Sequence, residues 1–447
     1  MNKGIDLVNG KVFKSLIWFA LPFLFSNLFQ QLYNTIDTYI VGNVLNEDSL
    51  AAIGACAAVY ELLVGFALGV GNGMSVVIAR YFGANDEKNI RKSIGASFII
   101  AVIITVFIMF IAVFLLYPLL ELLNTDPDII DESFSYIFVI TIFVGVMMAF
   151  NLFSSIMKAM GNSMMPLVFL IISTIVNIIL DYIFIANIGM GIKGAAYATV
   201  IAQLVSAVLC FIYILKKYRK YLPNRSEYKI DMHLYKELFA QGVSMGLMTS
   251  IVSIGTVILQ FGINGLGKYI VAGHTAARKI FAFSTLPITT AGLAITTFVS
   301  QNKGANKPDR IKEGIKYCIV ITTIWSAIIA VLMNVIAGPL IRIVSGSELD
   351  VVLTNGTDYL KFNALFYTQL GVLIVLRCAL QGLGQKVIPL VSSIIELVGK
   401  IVFTFIFIPM MAYKAVIISE PVVWTVMAIY LLFAYINVWK KERKKYY

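Results

Sequence analysis

The chain has 447 residues, 59% of them hydrophobic and 13% charged, with 35 Lys+Arg against 24 Asp+Glu and a mean hydropathy of +0.87. Soluble domains carry about 25% charged residues, so this composition excludes an ordinary soluble enzyme and points to a polytopic membrane protein. The +11 balance reads as membrane topology and lipid contact rather than as a nucleic-acid surface.

In chain order, apolar runs of roughly 20 residues, enough to cross about 30 Å of hydrocarbon, fall near 14–40, 52–79, 94–117, 133–154, 166–187, 194–215, 238–263, 271–299, 315–337, 357–377, 387–411 and 415–438. The predicted fold class is therefore an all-α polytopic membrane protein of twelve transmembrane helices. Most Lys and Arg lie at the N-terminus, in the even-to-odd connections and in the Lys440 to Lys445 tail. Lys193, Lys268, Arg342, Lys361 and Lys414 lie on the opposite side, and Arg278, Lys279 and Lys400 within spans. The positive-inside rule then places both termini in the cytoplasm. The first apolar run lacks a small-x-small cleavage site and is expected to persist as helix 1. Cys56, Cys210, Cys318 and Cys378 are scattered without CxxC spacing, so they are expected to pack rather than form disulfides or hold zinc.

The segment Gly83 to Ile94 recurs as Gly304 to Ile315, a shift of 221 residues, and with a further offset of two, Gly161 and Pro166 match Gly384 and Pro389. The chain is duplicated. Six spans per half is even, so the repeats share one orientation, forming two parallel six-helix lobes around a central cavity. The expected divisions are 1–215 (N-lobe), 216–236 (cytoplasmic basic linker) and 237–447 (C-lobe).

Intramembrane charge is the main pointer to function, because a carboxylate at the bilayer centre costs about 2.5 to 3.5 kcal/mol on insertion scales. Span 1 places Asn27, Gln30, Gln31, Asn34 and Asp37 on one helical face, joined by Thr38. In span 5, Asn177 and Asp181 stack four apart, with Ser173 one turn earlier; span 6 adds Thr199, Gln203 and Ser206. Carboxylate, amide and hydroxyl oxygens of this kind suit Na+ or a proton exchanged against it. Gln30, Tyr33, Asn34, Gln203, Met245, Met248 and Gln260 are candidates for a solute cavity, with Met side chains adapting to varied apolar ligands. Glu61, Arg278, Glu396 and Lys400 are secondary polar sites. The last two read most simply as an i,i+4 pair, while Glu61 and the Arg278–Lys279 step suit either the cavity wall or mutual pairing. His274 reads as an ordinary hydrogen-bonded histidine.

Three enzyme-like motifs fail on context. Gly262 to Tyr269 ends in Tyr where a P-loop needs Ser or Thr. Gly189 to Gly194 fits GxGxxG but joins two membrane helices. Gly242 to Gly246 fits GxSxG inside a span, not on a strand-turn-helix.

Pro22 with Asp37 to Gly42, Leu50 to Gly54, Gly161 to Pro166, and the block from Asp181 to Ile185 followed by Gly189 to Thr199 resemble the multidrug and toxic compound extrusion (MATE) family over nearly the whole chain. The resemblance implies a twelve-helix exporter of cationic or amphipathic compounds in the bacterial cytoplasmic (inner or sole) membrane, driven by Na+ or H+. It needs no ATP, other cofactor or further metal, is not an enzyme, and is expected to act as a monomer. The family's N-lobe cation site maps onto Asp37, Asn177, Asp181 and Thr199. Members with acidic residues in helices 7 and 10 are not matched: span 7 offers Ser244, Ser253, Thr256 and Gln260, and span 10 has Asp358 at its outer edge. Coupling is therefore expected in the N-lobe. The alternatives are a flippase of lipid-linked precursors, which calls for several cavity cations, and an intramembrane aspartyl protease, whose YD and GxGD contexts are absent.

Overall fold

The computed structural model describes residues 4–45, 47–123, 125–224 and 231–446. Its α-helices in order are α1 (Val12–Val44), α2 (Glu47–Gly83), α3 (Glu87–Leu122), α4 (Ile130–Ile142), α5 (Val144–Ala159), α6 (Met164–Asp181) and α7 (Ile192–Lys217), then α8 (Met232–Asn264), α9 (Lys268–Gly304), α10 (Pro308–Ser345), α11 (Asp350–Ala364), α12 (Tyr367–Gly382), α13 (Val387–Val402), α14 (Ile408–Met411) and α15 (Tyr413–Tyr446). Among the described residues, ten helical stretches are long and apolar enough to cross a membrane, twelve if α4 with α5 and α11 with α12 are each one span, bent by 47° and 56°. Apolar periodicity continues through such bends, so the sequence alone does not reveal them. Outward-facing Val102, Phe107, Phe110 and Phe114 of α3 are all at least 60% exposed, as lipid-facing side chains are.

The duplication is visible in the backbone. Asn85 and Asn306 both adopt left-handed φ (55° and 57°), Gly161 and Gly384 have φ of 82° and 79°, and Gly191 and Ala412 precede α7 and α15 with φ of 62° and 50°. Wide π-type turns at Tyr182–Asn187 and Phe403–Phe407 follow α6 and α13.

Two compact units emerge, one of Met1–Asp6 with Leu21–Ser250, the other of Leu7–Ala20 with Ile251–Tyr447. These bounds differ from 1–215 and 237–447, because the first part of α1 belongs to the second unit and the first part of α8 to the first. In the first unit, a Cβ on Gly69 would lie 2.6 Å from the Met245 carbonyl oxygen, and one on Gly73 would overlap that of Gln241. Arg80 on α2 donates to both carboxylate oxygens of Glu237 at 2.8 Å. The bare backbone surface of α2 thus docks α8 at van der Waals distance. Asp231, in the linker just before α8, accepts from the Leu234 N–H; that bond, then Lys92, hold its carboxyl below the ordinary range. In the second unit, the Leu7 carbonyl accepts from Asn302 (3.0 Å) and Arg310 (3.1 Å), and Phe13 packs edge-on to Tyr317. Pro22, which has no N–H to continue the helical ladder, lies where α1 passes from the second unit to the first.

Candidate cation site and charged networks

Asp181 is the last residue of α6, so its backbone carbonyl borders the π-type turn rather than a regular helix, a deviation frequent at functional sites. Asn177, Asp181 and Thr199 are 0%, 0% and 2% exposed. With its amide in the orientation that satisfies both ends, Asn177 donates to Asp181 Oδ2 at 2.8 Å and accepts from the Thr199 N–H at 3.3 Å. The Thr199 hydroxyl meets Tyr33 OH at 3.0 Å. Ser173 donates to the Ala202 carbonyl (2.8 Å) and Ser206 to that of Phe169 (3.0 Å), so α6 and α7 are tied beside the site. Three of the four expected cation residues therefore converge, and Tyr33, expected in the solute cavity, joins them instead. Asn34 and Asp37 lie on α1, but their side chains are outside the described residues.

The other solute-cavity candidates divide. Gln30 and Gln203 are half-buried. Gln260 donates to Asn264 of its own helix at 2.8 Å. Met245 and Met248 are buried, at 7% and 9% exposure. A groove of about 890 Å³ in the first unit is lined by apolar residues of α2, α3 and α8, including Leu63, Phe107, Leu119 and Phe239, and by none of the expected solute residues.

In the second unit, two charged networks involve the expected secondary polar sites. Lys400 donates to Glu396 Oε1 at 2.9 Å and to Thr256 at 3.1 Å, which makes the expected i,i+4 pair part of a larger group. Arg377 lies 4.0 Å from Glu396 Oε2. The expected tenth span ended at 377, whereas α12 continues to Gly382 and carries this guanidinium within the helix. Arg278 donates to Glu420 Oε1 at 2.8 Å and to Tyr359 OH at 3.1 Å, and Tyr359 in turn donates to Glu420 Oε2. Phe281 lies under the guanidinium at 4.6 Å and stacks on Trp424. Glu420 thus supplies Arg278 with a partner in its own unit, and sequence reading missed it, although a carboxylate inside the span 415–438 was a visible signal. Glu61 is exposed. His274 is buried and hydrogen-bonded to Tyr413 OH at 3.0 Å, as expected of a structural histidine.

The repeat aligns these sites. Offsetting by 223, the buried Ser173, Asn177 and Asp181 of the first half correspond to Glu396, Lys400 and Thr404. Offsetting by 221 from the Gly191/Ala412 turn, Thr199 corresponds to Glu420. Where the first half has an oxygen-rich site, the second half holds a tethered ammonium.

A duplicated, all-helical, multi-pass membrane chain with a buried polar site in each half is the architecture of a transporter. The family model described as MatE matches twice, at residues 22–183 and 245–406, and the chain belongs to the MATE multidrug efflux transporter family. It is 26% identical over 415 residues to the "Probable multidrug resistance protein YpnP" of Bacillus subtilis (strain 168), covering 93% of this chain and 92% of the relative. It is 22% identical over 322 residues to the "Multidrug export protein MepA" of Staphylococcus saprophyticus, covering 72% of this chain and 71% of the relative. Among solved structures, "Crystal structure of MATE in the bent conformation" superposes with a TM-score of 0.92 at 22% identity, covering 100% of this chain and 99% of that one.

Proposed function

We propose that this chain is a secondary antiporter that exports organic cations or amphipathic compounds in exchange for Na+ or H+. The observation that carries this reading is the buried Asp181–Asn177–Thr199–Tyr33 group. A carboxylate kept at zero exposure among amide and hydroxyl groups has little structural use inside a membrane and suits reversible capture of a small cation. The Asn177 amide now points its nitrogen at the carboxylate; turned over, it would present an oxygen to a bound ion. Asp37, on the neighbouring α1, is proposed as the second acid. The Lys400 ammonium at the repeat-related position argues that coupling belongs to the first half. Relatives named as multidrug resistance and export proteins support the solute class. Both termini are proposed to be cytoplasmic, and the chain to work as a monomer in the bacterial cytoplasmic membrane.

The test is efflux of a fluorescent organic cation from membrane vesicles under an imposed Na+ gradient or an imposed pH gradient. Asp181→Asn and Asp37→Asn should each abolish gradient-driven efflux while the protein remains inserted. Undiminished efflux by both variants refutes the coupling assignment.

A further inference from the structure

Away from the helix-end pair Lys303–Glu442, the described interior of the second unit combines three cations, Arg278, Arg377 and Lys400, with two carboxylates, Glu396 and Glu420. Two of the cations are well paired: Arg278 with Glu420 and Lys400 with Glu396, at 2.8 and 2.9 Å. Arg377 is not. Among the described residues it approaches the second oxygen of Glu396, at 4.0 Å, beyond hydrogen-bonding distance, and its Nε and Nη1 donate to no described group. Its side chain is only 16% exposed. The Ser393 hydroxyl, one turn before Glu396 on α13, is likewise buried without a partner. His274 is engaged with Tyr413, and Tyr359 with Arg278 and Glu420.

A guanidinium presents five N–H donors in a planar fork that matches a carboxylate or phosphate. Leaving it half-satisfied in a low-dielectric span is unfavourable, and a helical membrane protein keeps such a group mainly where a ligand completes it. Glu396 does not complete it, because its Oε2 stands 4.0 Å away while its Oε1 is drawn to Lys400 at 2.9 Å. At 1.5 Å per residue, Glu396 and Lys400 stand about 14 and 20 Å along α13, well away from its start at Val387. This surplus charge is therefore distinct from the basic loops that set topology.

We propose that Arg377, sharing Glu396 with Lys400, is a recognition site for the acidic group, carboxylate or phosphate, of an amphipathic ligand. This rests on the exporter reading and deepens it: the solutes handled include amphiphiles bearing an anionic group, zwitterions among them, and not organic cations alone.

The experiment compares two dyes that differ only in this group, rhodamine B, zwitterionic at neutral pH, and its ethyl ester, which is purely cationic. Binding to the full chain in phosphatidylcholine nanodiscs is followed by fluorescence anisotropy, with empty nanodiscs subtracted. The wild-type protein should bind the zwitterion at least tenfold more tightly. Arg377→Gln should remove that preference while changing ester affinity less than twofold, because it leaves the Lys400–Glu396 pair in place. Equal affinity of the wild-type protein for the two dyes overturns the proposal even if the variant fails to insert, and so does an equal effect of Arg377→Gln on both. Repeating the titration in dodecyl maltoside micelles, which carry no phosphate, and then adding phosphatidylglycerol separates two ligand sources. Loss of zwitterion binding in the wild-type protein assigns the site to a lipid phosphate, and retention assigns it to the solute. Efflux is measured separately: preserved dye preference without gradient-driven efflux would refute the antiporter reading and leave the site standing.

Discussion

Glu420 offers the clearest energetic test of how the second half is held together. Its carboxylate is 6% exposed and serves two partners, Arg278 on α9 and Tyr359 on α11, so one side chain on α15 ties three helices. Glu420→Gln keeps the shape and removes the charge. Removing one member of a buried ion pair costs about 3 to 5 kcal/mol, mostly because the other charge is left uncompensated. Arg278 is 32% exposed and keeps the Phe281 face at 4.6 Å, so the low end, about 3 kcal/mol, is expected. In the double variant Arg278→Gln with Glu420→Gln no charge is stranded, and two amides can hydrogen-bond each other. It should lie within about 1 kcal/mol of the wild-type protein. Unfolding free energies of the wild type and the three variants in mixed micelles close the cycle. A Glu420→Gln loss below about 1 kcal/mol, or a double variant as unstable as the sum of the singles, would refute the account.

Two further substitutions probe the backbone. Ala412 has φ 50° and ψ −135°, a region where L side chains are strained by about 1 to 3 kcal/mol; its repeat partner is Gly191. Ala412→Gly should stabilise the chain by about 1 kcal/mol, and a loss of stability would show that the turn is not strained. Gly73→Ala places a methyl against the Gln241 carbonyl, backbone that cannot swing aside, and should destabilise by about 2 kcal/mol. Gly54→Ala, with nothing within 4 Å of the added carbon, serves as the control and should be neutral or mildly stabilising, as read from thermal aggregation temperatures in detergent.

Much of the site was legible because its signals are local. Asn177 and Asp181 share a face through i,i+4 spacing, and Thr199 follows from the motif after Gly189. What escaped reading depends on contacts between distant helices. Helical periodicity orients Tyr33 inward but does not reveal that its hydroxyl reaches Thr199, 166 residues away. The apolar run of the tenth span places Arg377 at its very end, whereas the helix runs on to Gly382.

By itself the sequence determined the membrane class, the duplication and the restriction of the paired aspartates to one half, because hydrocarbon thickness, repeat offsets and side-chain charge are properties of the chain alone. Tertiary structure decided the rest. It bent the fourth and tenth spans and assigned the first parts of α1 and α8 to the opposite units. It also gave Arg278 a carboxylate from α15 while leaving Arg377 short of one. Those outcomes depend on which helix surfaces meet, and a helix carries its periodicity in its own residues but finds its partners only in the packed fold.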